Sequence, residues 1–494
     1  MESRPQESNL KEAKKLLPPP AGAACAPHPP PLKSPAFLAW CQLLTVVCFL
    51  LVPLRFFLYA RNLSSPRLLL PRLDNPSRPP PPSSANTITD SCSSGLIFVY
   101  DLPTAFNADV LAACDELNPW ESLCVALSNG GFGPPAGELA GVVPANLLPY
   151  WYSTDQFSLE LIFHRRILAH QCRTADPSAA AAFYIPFYAG LSVGKHLWSG
   201  DAASRDRDSA LLLRWIKEQS PWKRSNGSDH FIALGRISWD FHRSGNDGWG
   251  GSFLNMAGME KVTRLIIERN PSDKKDVGVP YPTGFHPRTA AEVRQWQRFV
   301  LNRNRSTLFV FAGAPRPQVK DDFRGFLFKE CKRAGKGTCR SLDWWKVRRQ
   351  NRSSAAMRLF LDSAFCLQPK GDSYTRRSMF DCMLVGAVPV VFWRHSAYGQ
   401  YEWYLPGSGE GREGEWSVFI DSREVRNGTV SVKEVLEGIG EKRAREMRER
   451  VVEMIPRLLY AAAEEGLGEG MQDAFDVAVK GVLRRFRGAV APAA

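Results

Sequence analysis

Residues 365–393, FCLQPKGDSYTRRSMFDCMLVGAVPVVFW, read as strand, turn, helix, turn, strand. Phe365 to Gln368 is a short run halted by Pro369, Lys370 and Gly371, which end a strand. Ser373 or Thr375 is placed to cap a helix in which Met379, Met383 and Leu384 recur at helical spacing. Gly386 stands where a helix ends on a left-handed residue. Ala387 to Phe392 is a nearly unbroken apolar run, as expected of a strand buried on both faces of a parallel sheet. Two strands joined through a helix form a βαβ unit, which sets the class as α/β.

The charges in this stretch conflict with the local field. Arg376 and Arg377 fall in the first helical turn, where the macrodipole is positive and disfavours cations. An anion bound there resolves the conflict. Free backbone N–H groups, the dipole and guanidinium forks together suit a diphosphate. The plain alternative is an exposed i,i+4 pair between Arg377 and Asp381, worth only about 0.2–0.5 kcal/mol.

Outward from this unit, 494 residues suffice for two or three domains. A net charge of +13 points to a nucleotide, an acidic polysaccharide or anionic lipid. The chain shows no RNP, zinc-finger or basic-zipper pattern, so nucleic acid is not expected as a partner. No HExxH, GxSxG or P-loop appears, and the eight histidines lack metal-ligand spacing, so no metal site is expected. Asp206 and Asp208 form a DxD triplet inside RDRDSA, a polar context that reads as a solvated surface.

Residues 1–35 are rich in Pro and Ala and read as a disordered tail. Residues 36–60 are almost wholly apolar, long enough to span a bilayer, and read as a signal anchor. Residues 61–94 form a Pro-rich stem. Lys and Arg flank the span on both sides and leave its orientation open. The N-glycosylation sequons at Asn62, Asn226, Asn304, Asn351 and Asn427 all follow it, which favours a type II topology with a lumenal body. Eight cysteines also follow it (Cys92, Cys114, Cys124, Cys172, Cys331, Cys339, Cys366, Cys382). None forms a CxxC pair, and eight permit 105 disulfide connectivities. Cys366 and Cys382 lie in buried-looking elements, where a free thiol behaves as a small hydrophobe.

Globular sequence starts at Gly95 with LIFVYDLP. Residues 155–169 form an amphipathic helix, and residues 230–239 (HFIALGRISW) a strand. Residues 307–313 (TLFVFAG) begin a second strand–helix series. The expected body is therefore an N-terminal half, 95–300, and a C-terminal half, 301–494, each built on a parallel sheet. Well-patterned helices at 432–460 and 471–487 close the chain.

FVYDLP (98–103), WYSTDQFSLELIFHRR (151–166), FYIPFYAGL (183–191), GRISWDFHR (235–243), GVPYPTGFHP (278–287), LFVFAGAPRP (308–317) and the stretch at 365–393 resemble exostosin-like glycosyltransferases. The similarity is greatest to the plant xyloglucan galactosyltransferase branch, and it runs in order from about residue 95 onward. The resemblance implies a GT-B fold of two Rossmann-like halves facing across a cleft. It also implies a Golgi membrane enzyme that transfers a sugar, galactose first, from a UDP-sugar to xyloglucan with inversion and no bound metal. Galacturonic acid, xylose and arabinose donors stay open. So does a non-catalytic lumenal relative that scaffolds other glycosyltransferases.

Ligands of open α/β sheets sit beyond the carboxyl ends of the strands. Gly313, Arg316 and the turn of Gly371, Asp372 and Ser373 lie at such ends. With Arg376, Arg377 and Asp381 they make up the candidate donor site. Tyr398, Tyr401 and Trp403, with Tyr404, follow the last core strand and are candidates for stacking on acceptor sugars. An inverting transfer needs a base, sought among Asp155, Glu160, His164 and Asp240 of the first half. Asp240 is the first choice, at the end of a buried-looking strand, with a salt bridge to Arg236 or Arg243 as the alternative. Asp155 is the second, with helix capping as its alternative.

Overall fold

Apolar runs alternating with amphipathic helices give two all-parallel sheets, each flanked by helices. The computed structural model describes residues 92–198, 200–246, 248–348, 352–405, 407 and 411–490. The expected tail, membrane span and stem up to residue 91, with Asn62, lie outside the described residues, as does Asn351. No helix among the described residues is long and apolar enough to cross a membrane.

The first sheet holds β1 (Leu96–Val99), β2 (Arg173–Thr174), β3 (Ala180–Tyr184), β4 (His230–Ile237), β5 (Thr263–Glu268) and β6 (Asp276–Gly278). Their order is β2-β1-β3-β4-β5-β6. Strand β5, TRLIIE, is buried at every position, which explains its lack of polar alternation. Helices α1 (Leu159–Leu168), α2 (Ala189–His196) and α3 (Ala202–Lys217) belong to this half. Helix α4 (Ala290–Leu301) starts at a capping box of Thr289 and Glu292, and its Trp296 Nε1 donates to the Leu384 carbonyl at 2.8 Å.

The second sheet holds β7 (Thr307–Gly313), β8 (Cys339–Asp343), β9 (Ser363–Gln368), β10 (Val388–Val391) and β11 (Val418–Phe419), in the order β11-β10-β9-β7-β8. Helix α5 (Phe323–Ala334) links β7 to β8, α6 (Arg352–Leu361) links β8 to β9, and α7 (Arg377–Leu384) links β9 to β10. The strand order reverses between β7 and β9, and the carboxyl ends at such a point open a crevice for ligands.

Helix α7 is not capped by Ser373 or Thr375. Arg376 is its N-cap and provides no side-chain cap bond. Its C-terminus closes as expected. Gly386 has φ 70°, with Gly386 N–H to Met383 O at 2.9 Å and Ala387 N–H to Cys382 O at 3.1 Å, a Schellman pair.

Helix α8 (Val432–Leu458) runs past the second sheet and bends at Gly440. Helix α9 (Ala474–Val490) returns to the first half, where Phe475 packs 4.7 Å from Phe163. Arg166 of α1, 1% exposed, anchors this return through Asp473 at 2.6 Å and Asp476 at 3.2 Å. One continuous apolar core contains Leu265 of β5, Val390 of β10 and Phe475 of α9.

Among the described residues there are four disulfides: Cys92–Cys172, Cys114–Cys124, Cys331–Cys339 and Cys366–Cys382. Cys366 and Cys382 are thus not free thiols; they tie β9 to α7, bringing together two buried positions 16 residues apart. Asp206 and Asp208 on α3 are not a solvated face either. Asp206 accepts from Ser252 N–H at 2.7 Å and Ser252 Oγ at 2.8 Å and pairs with Arg243, while Asp208 accepts from Ser192 Oγ at 2.6 Å.

Candidate functional site

The β7/β9 crevice carries a concentration of arginines. Gly313 ends β7, and Arg316 follows in the next loop. Gln368 ends β9, after which the chain doubles back: a Cβ on Gly371 would overlap the Thr375 carbonyl, so the turn itself requires glycine. Arg376 reaches back beside Gly313 and donates from Nη2 to the Ala312 carbonyl at 2.8 Å, while its Nη1 is buried without a partner. Arg324 projects from α5 into the same space and donates to the Lys370 carbonyl at 3.3 Å. Asp372 pairs with Arg316 and lies 3.7 Å from Arg324, but its side chain is 79% exposed. Asp322 accepts the Arg316 N–H at 2.7 Å.

The three guanidiniums are crowded against one another. Burial pushes Arg376 down to about 10, helped by repulsion from Arg316. Burial drives Arg324 well below the usual arginine range, helped by Arg376 and then Arg316. A site that desolvates several cations and gives them few counter-charges is arranged for an incoming anion.

Arg377 takes a different direction. Its Nη1 donates across the cleft to the Thr154 carbonyl at 2.5 Å, and its Nε lies 3.4 Å from Asp381. The i,i+4 pair therefore forms, although both residues line the cleft. Burial raises the Asp381 carboxyl against the pull of Arg377.

The opposite wall belongs to the first half. Its acid is Glu268, the last residue of β5 and 2% exposed. Tyr281 OH donates to Oε1 at 2.6 Å, and the backbone N–H groups of Tyr374 and Thr375 donate to Oε2 at 2.9 and 3.2 Å. The Ser373 side chain donates as well. Burial raises the Glu268 carboxyl to about 7, against these donors. Glu138 also faces the cleft, with Ser153 Oγ donating at 3.2 Å. The cleft encloses about 600 Å³, with Tyr152, Phe157 and Trp344 among its aromatic lining.

Arg324, Glu138 and Glu268 were absent from the candidates drawn from sequence. Glu268 had a readable signal: an acid closing a strand that is buried at every position, at the end that meets the crevice.

Several sequence candidates lie elsewhere. Asp240 sits in the turn after β4, 4% exposed, and does not line the cleft. Arg236 Nη1 lies 3.4 Å from it and Trp249 Nε1 donates at 2.7 Å, so the salt-bridge alternative is the arrangement observed. Asp155 accepts the Phe157 N–H at 2.8 Å, a local turn just before α1, whose N-cap is Ser158. Glu160 accepts from Gly190, Leu191 and Gly235 N–H groups and is raised to about 7 by burial. His164 Nδ1 pairs with Tyr188 OH at 2.9 Å.

The aromatic candidates fill the core instead of opening onto sugar. Tyr401 is fully buried and donates to the Ile267 carbonyl at 2.8 Å, Tyr404 donates to Ala474 O at 3.1 Å, and Tyr398 meets Ser417 Oγ at 2.9 Å. Trp403 packs on α9 against Gly481. Among the sequons, Asn226, Asn304 and Asn427 are exposed.

The exostosin GT47 domain family matches residues 91–437. Xyloglucan galactosyltransferase XLT2 of Arabidopsis thaliana is 55% identical over 399 residues, covering 81% of this chain and 76% of that protein. Xyloglucan galactosyltransferase MUR3 of Arabidopsis thaliana is 40% identical, covering 80% of this chain and 63% of that protein. Xyloglucan-specific galacturonosyltransferase 1 of Arabidopsis thaliana is 37% identical, covering 80% of this chain and 58% of that protein. A solved GtfA/B complex aligns at a TM-score of 0.27 and 10% identity, over 57% of this chain and 60% of that one, too low to argue from. Two parallel-sheet halves, a cationic crevice at a strand-order reversal and a family match over most of the chain agree: the chain belongs to the exostosin GT47 family of glycosyltransferases.

Proposed function

We propose that this enzyme transfers a hexose, galactose first, from a UDP-sugar to xyloglucan, inverting the anomeric centre. The observation that carries the reading is the crevice of Arg316, Arg324 and Arg376 facing an acid-bearing wall on the other half. Its arrangement is of GT-B type: the second half takes the nucleotide and the first presents the acceptor. Leaving UDP carries charge that a resident metal would otherwise share. Here the guanidiniums and the α7 N-terminus are placed to take it. Gly313, Gly371, Asp372 and Ser373 shape the donor pocket, and Arg377 and Asp381 stand beside it. The similarity to galactosyltransferases favours galactose, and the 37% identical galacturonosyltransferase keeps galacturonic acid as the second donor to test. A type II Golgi placement, with the body lumenal, fits the exposed sequon asparagines Asn226, Asn304 and Asn427.

The test uses the full-length protein in detergent, with xyloglucan oligosaccharides and UDP-galactose, UDP-galacturonic acid, UDP-xylose or UDP-arabinose, with and without EDTA. Transfer from UDP-galactose, giving a β-linked product insensitive to EDTA, is expected. UDP binding without transfer from any donor overturns the reading in favour of a scaffold.

A further inference from the structure

The reaction proposed above needs a group that removes the proton from the acceptor hydroxyl, and the donor-side arginines do not supply one. We propose that Glu268 is the catalytic base, an assignment that rests on that reading of the reaction.

Placement is the first argument. The acids lining the cleft are Glu138, Glu268, Asp372 and Asp381. Asp372 is engaged by Arg316 and Arg324, and Asp381 by Arg377, so these serve the donor-side cations. Glu138 is half-buried, and its partner is Ser153 of its own half, away from the donor-side turn. Glu268 alone of the four touches the turn of residues 373–375 that leads into α7. The attacked carbon of a nucleotide sugar is bonded to the diphosphate. A base must therefore stand beside the turn that carries the diphosphate, on the wall that presents the acceptor.

Fixation is the second. Tyr401 OH holds the Ile267 carbonyl on one side of Glu268, and the Gln400 amide bonds both N–H and C=O of Arg269 on the other, at 3.0 Å each. The backbone donors from Tyr374 and Thr375 fix Oε2. The Ser373 hydroxyl is the partner that turns away by rotation about one bond, and the acceptor hydroxyl takes its place. Tyr281, Tyr374 and Tyr401 surround the carboxyl with neutral phenols, and Arg324 is the cation that faces it. Burial outweighs that cation and leaves a carboxylate more basic than one in water, as proton abstraction near neutral pH requires.

In the step, the acceptor oxygen attacks the anomeric carbon from the face opposite the diphosphate. The new C–O bond forms as the bond to the β-phosphate oxygen breaks. The electron pair leaves on UDP, beside Arg316, Arg324 and Arg376. The hydroxyl proton passes to Glu268, which returns it to solvent after the products leave.

The experiment uses the full-length protein and the donor–acceptor pair that the wild type turns over. Glu268→Gln keeps an oxygen for the Tyr374 and Thr375 N–H groups and removes the basicity. A fall in kcat of about 10²–10⁴ is expected, with UDP affinity and thermal midpoint near wild type. The wild-type kcat should drop as pH falls through about 7, and Glu268→Asp should keep that limb at a lower rate. A folded Glu268→Gln enzyme within about fivefold of wild-type kcat overturns the assignment and leaves Glu268 a clasp between the halves. If Glu268→Gln does not fold, a flat acid limb in both wild type and Glu268→Asp overturns it instead. A comparable loss in Glu138→Gln, with Glu268→Gln unaffected, gives the role to Glu138. A wild-type enzyme that transfers nothing defeats the proposed reaction and the base together. An active wild type with an active Glu268→Gln removes the base alone.

Discussion

Arg324 separates binding from stability at a single position. Folding buries its guanidinium beside Arg376 and Arg316, which costs free energy, and an anion in the crevice offsets that cost. Arg324→Ala is therefore expected to leave the thermal midpoint of the unliganded protein unchanged or raised. The same change should lower kcat/KM by roughly 10²–10³, the usual loss for one preorganised donor to developing charge. Titration calorimetry with UDP and a thermal melt on the same sample check both halves; a lowered midpoint with normal UDP binding contradicts the assignment. Arg376 was legible in the sequence because a cation at a helix N-terminus contradicts its local field. Arg324 also falls in a first helical turn, that of α5, but the strand, turn and helix around it lack the marked pattern of 365–393, and only the fold brings it to the crevice. Tyr401 misled for a related reason: an aromatic after a strand looks the same in sequence whether it meets sugar or core.

At the scale of elements, the stretch 365–393 was read with nearly the observed bounds for β9, α7 and β10, because its strands have apolar centres and Pro, Gly or a charged residue stands near their ends. TLFVFAG matches β7 to the residue. Disulfide pairing was not legible, since Cys366 and Cys382 meet only once β9 and α7 pack. The cap was misassigned because Tyr374 and Thr375 N–H groups receive a carboxylate from the other half instead of a local hydroxyl. The end of α7 was legible, and it yields a prediction. At Gly386, with φ 70°, any Cβ would also stand 2.8 Å from Val452 Cγ2 on α8. The backbone penalty of about 1–2 kcal/mol adds to an overpacking cost of about 1–3 kcal/mol. Gly386→Ala should thus lower unfolding free energy by roughly 2–5 kcal/mol in a denaturant titration. A loss under about 0.5 kcal/mol would mean that α7 and α8 part easily there.

At the scale of the molecule, the two halves and the returning helix α9 bury titratable groups of opposite kinds, and their signs set how stability depends on pH. Burial lowers His164 and His170 to about 4 and His286 to about 3. Each binds fewer protons folded than unfolded, so its contribution is complete above about 6.5 and lost as pH falls through the folded value. Burial raises Glu160 and Glu268 from 4.5 to about 7. Each binds more protons folded, so its contribution is complete below about 4.5 and lost as pH rises through about 7, by roughly 3 kcal/mol at most. Between about 4.5 and 6.5 the two slopes oppose each other. Above that window only the acids act, and below it only the histidines. The thermal midpoint of the full-length protein should therefore peak between about pH 5 and 6.5, fall toward pH 8 and fall again below pH 4.5. Glu160→Gln separates the causes, because Glu160 does not line the cleft and its amide oxygen still accepts from the α2 N-terminus. Asp476, also raised to about 7 by burial, and Glu268 remain in that variant, so the drop between pH 6.5 and 8 should shrink without vanishing while the acid side stays as in wild type. A wild-type midpoint that climbs from pH 6 to pH 8 would mean that the buried carboxyls are ionised throughout, with water reaching them across the cleft.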